Sequence, residues 1–251
     1  MVKRDLHGLI LALLGGTLVK LTVTGQYERY VKAAMRPYLF AAGLILLAVA
    51  AAALWPAVFG RRSAETDDHH GDAGHAHTGD GHGHRHGRAD MAWLLVVPAA
   101  VVLLIAPPAI GSYSAGRSGT ALGAASSSDY PPLPAGDPVT VSVLDYASRA
   151  VFDGRSLAGR RVELSGFLLS NGSGGWYLTR MVITCCAADA QPIKVGLTGA
   201  VPANARANEW LEATGEYTDR VDKDPVNGQS IPYLSVTSST PIPAPAQQYD
   251  S

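Results

Sequence analysis

The sequence predicts a helical membrane module followed by a mainly β soluble domain of the small, OB-like barrel type. Three observations predict this division. Long apolar runs occupy much of residues 1–110 of the 251-residue chain, and a segment rich in small residues follows at 111–138. From residue 139 onward, short stretches alternate between apolar and polar residues, as in β-strands. We therefore divide the chain into a membrane module (1–110), a linker (111–138), a β domain (139–240) and a tail (241–251).

The three apolar runs have about the length that a membrane helix needs. About 20 apolar residues at about 1.5 Å each cross a hydrocarbon layer about 30 Å thick. Residues 38–59 and 91–110 carry no charge and meet this requirement, whereas residues 6–23 include His7 and Lys20. A signal peptide is the alternative for this first run, although Lys20 interrupts its end. The sequence thus predicts about three transmembrane helices in a multi-pass protein.

The basic residues favour one orientation of these helices. Two basic residues precede the first run, and segment 60–90 has four arginines. The segment between the first two runs has three basic residues, and Arg117 follows closely after the third. The positive-inside rule then favours a cytoplasmic N-terminus and an extracytoplasmic β domain.

A histidine-rich loop at 64–90 separates the second and third runs. Its histidines alternate with Gly and Asp, a composition that binds borderline-soft divalent metals such as Zn, Cu or Ni through imidazole. The glycines favour weak collection of several ions over one defined site. A solvated loop without metal is the alternative. The candidate ligands are His69, His70, His75, His77, His82, His84 and His86.

Residues 111–138 read as a flexible linker, because Gly, Ala, Ser, Thr and Pro dominate their composition. After the linker, apolar residues at three-to-four spacing predict a helix over 142–152. Period-two patterns predict five strands, at 160–169, 176–183, 193–197, 210–217 and 233–237. The first of these contains Gly166, which indicates a bend or a bulge.

The connections between the strands complete the predicted barrel. Residues 171–175 are rich in Gly, Asn and Ser and predict a turn between the first two strands, and residues 219–229 are predicted as a polar loop. A short helix over 202–209, between the third and fourth strands, favours an OB-like barrel. Such barrels often bind single-stranded nucleic acid on a basic face. From residue 139 onward, nine Lys and Arg stand against eleven Asp and Glu, so nucleic acid is not expected as a partner.

Both cysteines of the chain lie together at the end of the second predicted strand. Cys185 and Cys186 are adjacent, and Asp189 follows three residues later. Thiolates suit zinc or copper(I), so these three residues are candidate metal ligands. Adjacent residues on a strand point to opposite faces, so both thiols reach one ion only if the segment turns. No histidine follows His86, so further ligands would come from outside the β domain.

Two other interpretations of the cysteine pair remain open. The pair is a redox-active dithiol in the first, favoured by an extracytoplasmic location. In the second interpretation the two cysteines pack as small apolar residues in the end of the barrel, and Asp189 caps a turn. Hydrolytic catalysis by a Ser-His-Asp or Cys-His arrangement is disfavoured, because the β domain has no imidazole base. An enzyme is therefore the less favoured class.

Three motifs give the chain a resemblance to a known family. They are Gly25, Tyr27, Tyr30, Val31, Met35 and Pro37; Gly159, Arg160 and Val162 with Gly166 and Phe167; and Arg180 and Ile183 with residues 185–190. With these motifs the chain resembles the YcgQ-like family of bacterial membrane proteins over almost its whole length. The resemblance implies a plasma-membrane protein that accompanies a predicted multi-span permease in a two-component transporter, with a link to metal handling.

Taken together, these observations lead us to expect an accessory subunit of a membrane permease that handles transition-metal ions, zinc or copper. Cys185, Cys186 and Asp189 would bind the ion, and the histidine loop would collect ions on the other membrane face. The alternatives are a membrane-tethered thiol redox protein and a structural interaction module.

Overall fold

The computed structural model describes residues 2–59, 96–105, 109–122 and 130–250. The chain forms two compact units. One comprises Met1–Thr24 and Pro37–Pro107, and the other comprises Gly25–Arg36 and Pro108–Ser251. The segment between the first two helices therefore belongs to the same unit as the β domain, which the sequence does not predict.

The first unit is helical, with α1 at Val2–Val23, α2 at Arg36–Phe59 and α3 at Val96–Ile105. Helices α1 and α2 approach closely at two glycines, since a Cβ on Gly15 would lie 2.9 Å from the carbonyl oxygen of Gly43. Two stretches, Leu6–Val23 and Ala33–Trp55, are long and apolar enough to cross a membrane. Of the third predicted span, 91–110, the described helix α3 covers ten residues, so three transmembrane helices remain a prediction.

The second unit contains a five-stranded β-barrel, which confirms the predicted barrel. Its strands are hydrogen-bonded in the order β2-β5-β6-β4-β3, and β2 also pairs with β3, which closes the barrel. Neighbouring barrel strands are antiparallel except β4 and β6, which are parallel. The strands are β1 Val139–Thr140, β2 Arg161–Ser170, β3 Trp176–Val182, β4 Gln191–Gly199, β5 Trp210–Lys223, β6 Ser230–Ile242 and β7 Tyr249–Asp250.

Strand β2 changes partner along its length, and Gly166 marks the point of change. Residues up to Phe167 pair with β5, and residues from Phe167 onward pair with β3. A Cβ on Gly166 would lie 2.7 Å from the carbonyl oxygen of Thr179. The missing side chain therefore lets two backbone segments approach where the barrel closes.

Helix α5, Val143–Phe152, covers one opening of the barrel. The Ser142 hydroxyl accepts a hydrogen bond from the Asp145 amide at 3.0 Å and so caps the helix. On the inner face of the helix Tyr146 is fully buried, and its hydroxyl donates to the carbonyl oxygen of Tyr233 at 2.7 Å. The predicted helix at 142–152 is thus confirmed, and it seals the core of the domain.

The structure corrects three predictions in this unit. Residues 202–209 form turns and no helix, and Asn208 there has φ of 67°, a conformation that ends a helix instead of continuing it. The polar loop predicted at 219–229 is shorter, because β5 and β6 continue as a hairpin to Lys223 and Ser230. The predicted tail contributes β7, whose Tyr249 is 3 % exposed.

The part of the predicted linker that the structure describes packs against the barrel. We call residues 109–122 the strap; it contains the short helix α4, Ser112–Ala115. Two charged side chains of the barrel hold it, because the Thr120 amide donates to Asp224 and Lys194 donates to the Ser118 carbonyl, each at 2.8 Å. The strap is therefore held on the barrel through its backbone.

Candidate metal centre

Cys185 and Cys186 lie in the connection between β3 and β4. Strand β3 ends at Val182, and Ile183 is buried. The chain then turns, with Ala187–Asp189 forming one 3₁₀ turn before β4 begins at Gln191. The segment therefore makes the turn that two adjacent thiols need in order to face a common point.

Asp189 organises this turn through its carboxylate. Its Oδ1 accepts a hydrogen bond from the Thr184 amide at 2.9 Å, and its Oδ2 accepts from the amides of Cys185 at 2.9 Å and Cys186 at 3.3 Å. The Cys185 thiol also donates to this carboxylate. These bonds, from the thiol first and then from the amides, lower the pKa of Asp189 to about 2. Asp189 is thus an anion at neutral pH.

The two thiols are free and lie beside this anion. Cys185 is exposed and Cys186 is partly exposed. The sulfur atoms and a carboxylate oxygen of Asp189 all lie within 4.8 Å of one another. The hydrogen bond to Asp189, followed by that to Cys186, raises the pKa of Cys185 to about 11. Cys185 therefore carries its proton at neutral pH.

The arrangement fits a thiophilic metal ion with a low coordination number or an open position. Two sulfurs and one carboxylate oxygen supply three donors, whereas a closed structural zinc site has four. Oδ1 of Asp189 accepts one amide hydrogen bond and Oδ2 accepts two, and the remaining lone pairs of the carboxylate could bind an ion. Because Cys185 is exposed, an ion held here would remain open to exchange.

The loop Gly25–Arg36 forms one side of the thiol turn, a feature that the sequence analysis missed. Val31 and Cys186 make an antiparallel β-bridge. Within it, the Lys32 amide donates to the Cys185 carbonyl at 3.1 Å, and the Ala187 amide donates to the Tyr30 carbonyl at 2.7 Å. The motif residues Tyr30 and Val31, quoted above for the family resemblance, are therefore in contact with the motif that carries the cysteines.

Tyr249 on β7 binds the same loop and also the strap. Its hydroxyl donates to the Arg29 carbonyl at 3.1 Å and accepts from the Ile110 amide at 3.0 Å. Strand β7 pairs with β3 next to the thiol turn, and the Ile183 amide donates to the Asp250 carbonyl at 3.3 Å. One phenol thus connects the loop and the strap beside the candidate site.

The other motif residue near the cysteines, Arg180, has a structural role. Its guanidinium lies 3.0 Å from the carboxylate of Asp250 and 5.1 Å from the centre of the Trp210 ring. Arg180 therefore fixes β7 against the barrel and stabilises the turn indirectly.

The structure brings together three of the ten candidate ligands, namely Cys185, Cys186 and Asp189. The other seven, His69, His70, His75, His77, His82, His84 and His86, lie outside the described residues.

Comparison with protein families gives two matches along the chain. Residues 6–121 match the DUF1980 N-terminal domain, and residues 153–250 match the DUF1980 C-terminal domain. The first match contains most of α1, all of α2 and the loop between them, and the second contains the barrel with the thiol turn. Comparisons with curated proteins and with solved structures found no match.

Proposed function

The chain belongs to the DUF1980 family by both of its domains, and we propose that it is a membrane-anchored metal-handling protein. Its barrel binds one zinc or copper(I) ion through Cys185, Cys186 and Asp189. As an accessory subunit, in the manner of the YcgQ-like proteins that it resembles, it presents this ion to a multi-span permease. The observation that carries the proposal is the approach of three donor atoms within 4.8 Å.

The exposed apolar surface of the first helices supports a membrane location. Large apolar side chains of α2 are exposed along its length, among them Ile45 at 64 %. A soluble protein rarely exposes so continuous an apolar surface, whereas lipid would cover it. Both candidate spans therefore belong in the bilayer in this proposal.

The contacts of the second unit support three crossings. The loop Gly25–Arg36 and the barrel are packed together, so they lie on the same side of the membrane. Helix α2 follows this loop and leads across the bilayer, so the chain must cross back before the strap begins. The run 91–110, which includes α3, supplies that crossing, and the basic residues favour an extracytoplasmic barrel.

This topology separates the two candidate metal-binding regions. The segment between α2 and the third run lies on the opposite side from the barrel, so its histidines do not complete the thiol site. In the proposal they collect ions at the other membrane face. The remaining ligand of the thiol site is then water or a group of the permease.

The geometry of the thiols weighs against the two alternative functions. A reactive thiol needs a lowered pKa, whereas the neighbouring carboxylate raises the pKa of Cys185 to about 11. A thiol that fills the core needs burial, whereas Cys185 is exposed. An exposed thiol that is protonated in the absence of metal suits a site where an incoming ion displaces the proton.

The test is metal content of the full chain in detergent, reduced and under anaerobic conditions. Because the histidine loop would bind ions of its own, all seven of its histidines are first replaced by Gln. In this background we expect about one zinc or copper ion per chain. Cys185→Ser together with Cys186→Ser should abolish it, since a neutral hydroxyl is a poor ligand for these ions. A background protein that binds no ion would refute the metal site.

Metal binding should weaken as the pH falls. With the pKa of Cys185 near 11, an ion must displace the thiol proton at every pH from 6 to 9. For each proton displaced, the apparent affinity for the ion then falls about tenfold when the pH is lowered by one unit. Competition titrations at pH 6, 7 and 8, corrected for the protonation of the competing chelator, measure this slope. An affinity independent of pH would mean that the thiols are not the ligands.

A further inference from the structure

We propose that the loop Gly25–Arg36 is part of the metal site and sets its affinity, so that ion binding is coupled to helices α1 and α2. This inference rests on the proposed metal binding at Cys185 and Cys186. It adds a regulating element that lies about 150 residues away in the chain.

The first step of the argument is that the loop contacts the backbone of the thiol residues themselves. The Lys32 amide donates to the carbonyl of Cys185, and the Tyr30 carbonyl accepts from the amide of Ala187. Within the turn, the Asp189 carboxylate accepts hydrogen bonds from the amides of Thr184, Cys185 and Cys186. The turn that holds both sulfurs is therefore fixed from inside by Asp189 and from outside by the loop.

The second step is that the loop has its own fixed structure and one further anchor. Tyr27 is 5 % exposed, and its hydroxyl lies 3.3 Å from Glu28 and 3.4 Å from the Ala33 carbonyl. The carbonyl of Arg29 accepts from Tyr249, on the strand that pairs beside the turn. A loop held at several points moves as one body, so its displacement would pull on the Cys185 carbonyl.

The third step is the covalent connection of the loop to the membrane helices. Helix α1 ends at Val23, and α2 begins at Arg36. A shift of either helix therefore acts on the loop directly. If the docked loop favours the ion-binding shape of the turn, then by thermodynamic reciprocity a bound ion favours the docked loop to the same degree.

A single proline tests this coupling by breaking the contact between the loop and the Cys185 carbonyl. Lys32 has φ of −58° and ψ of 141°, and the φ angle is the one that proline adopts. Val31, the preceding residue, pairs with Cys186 in a β-bridge, and an extended residue is what proline favours before it. Lys32→Pro thus removes the amide donor to Cys185 and keeps the backbone path. Lys32→Ala removes the same side chain, keeps the amide and is the matched control.

Two measurements on the full chain in detergent, with the loop histidines replaced by Gln, decide the proposal. In the first, zinc is titrated against a chelator. We expect Lys32→Pro to bind zinc at least threefold to tenfold more weakly than Lys32→Ala, because it loses one hydrogen bond and its ring displaces the Cys185 carbonyl. In the second, the metal-free thiols are alkylated with a maleimide. We expect faster labelling in the proline variant, since its turn opens more often.

The outcomes separate this proposal from the proposed function. Equal zinc affinity in the two variants would overturn the coupling while leaving the metal site intact. If the parent binds neither zinc nor copper(I), the metal function fails, and labelling then decides the loop contact. Different labelling rates would show that the loop controls the thiol turn, and equal rates would refute the contact as well.

Discussion

Replacing Asp224 by Asn is expected to destabilise the barrel by about 3–5 kcal/mol, the cost of breaking a buried ion pair by removing one charge. Lys194 and Asp224 lie 2.8 Å apart, with their side chains 3 % and 0 % exposed. The variant leaves a lysine charge buried without its counter-ion. It is one of the two largest effects that we expect from a single substitution.

The surroundings of Asp224 explain why an amide cannot replace the carboxylate. Oδ1 accepts from the Val226 amide at 2.9 Å, and Oδ2 accepts from Thr120 and from Lys194. Burial alone would raise the pKa of Asp224, but these hydrogen bonds outweigh it and lower the pKa. In either orientation, the NH₂ group of an asparagine would face a donor. The stabilising effect of the Asp224 carboxylate is full above about pH 4 and is lost as the pH falls through the lowered pKa of Asp224.

Native-state hydrogen exchange of the barrel amides in the full chain measures this loss, because the slowest amides report the free energy of global opening. Asp137→Asn is the control. It breaks the Asp137–Arg161 pair, whose side chains are 63 % and 48 % exposed, and should cost far less than Asp224→Asn because solvent screens this pair. Adding Lys194→Met to Asp224→Asn should restore much of the stability. Equal losses at Asp224 and Asp137 would contradict the account.

The second large effect is expected for Gly166→Val. The new Cβ would lie 2.7 Å from the Thr179 carbonyl and 3.1 Å from Cγ of Leu178. Thr179 is paired with Lys194 on β4, so its backbone cannot withdraw without breaking the barrel closure. We expect a loss of about 1–3 kcal/mol or more, as for other overpacked cores.

The same exchange measurement applies to this variant, with Ser165→Ala as a control in the neighbouring position of β2. Amides on both sides of the β2–β3 contact should exchange faster in Gly166→Val, whereas Ser165→Ala should leave them nearly unchanged. If Gly166→Val were as stable as the parent, Gly166 would not be needed for closure.

The sequence predicted the barrel because its strands follow local rules. Period-two alternation from Trp176 and a capped helix after Ser142 are signals that a short window contains. The same rules failed for the strap, where Gly, Ala and Ser indicated a free linker. Its order depends on Asp224 and Lys194, which lie about 75 to 105 residues further along the chain.

The candidate site was predicted in part for the same reason. Two adjacent cysteines are a visible motif, and an aspartate after a strand is typical of a turn. The carboxylate that ties three amides together, and the partnership of Cys185 with Lys32, depend on tertiary contacts. Tyr30 and Val31 stand out in the sequence as part of a motif, yet no local rule predicts that they contact Cys186 and Ala187.

The contact between Tyr249 and Arg29 also orders events during biosynthesis. These partners are 220 residues apart in the chain. At about 5–20 residues per second, the ribosome adds Tyr249 roughly 10–45 s after Arg29. In the proposed topology the first two helices therefore enter the membrane with their connecting loop still unattached. In the proposed topology the loop acquires its structure after the barrel has been translocated and folded, so the coupled site matures as one of the last parts of the protein.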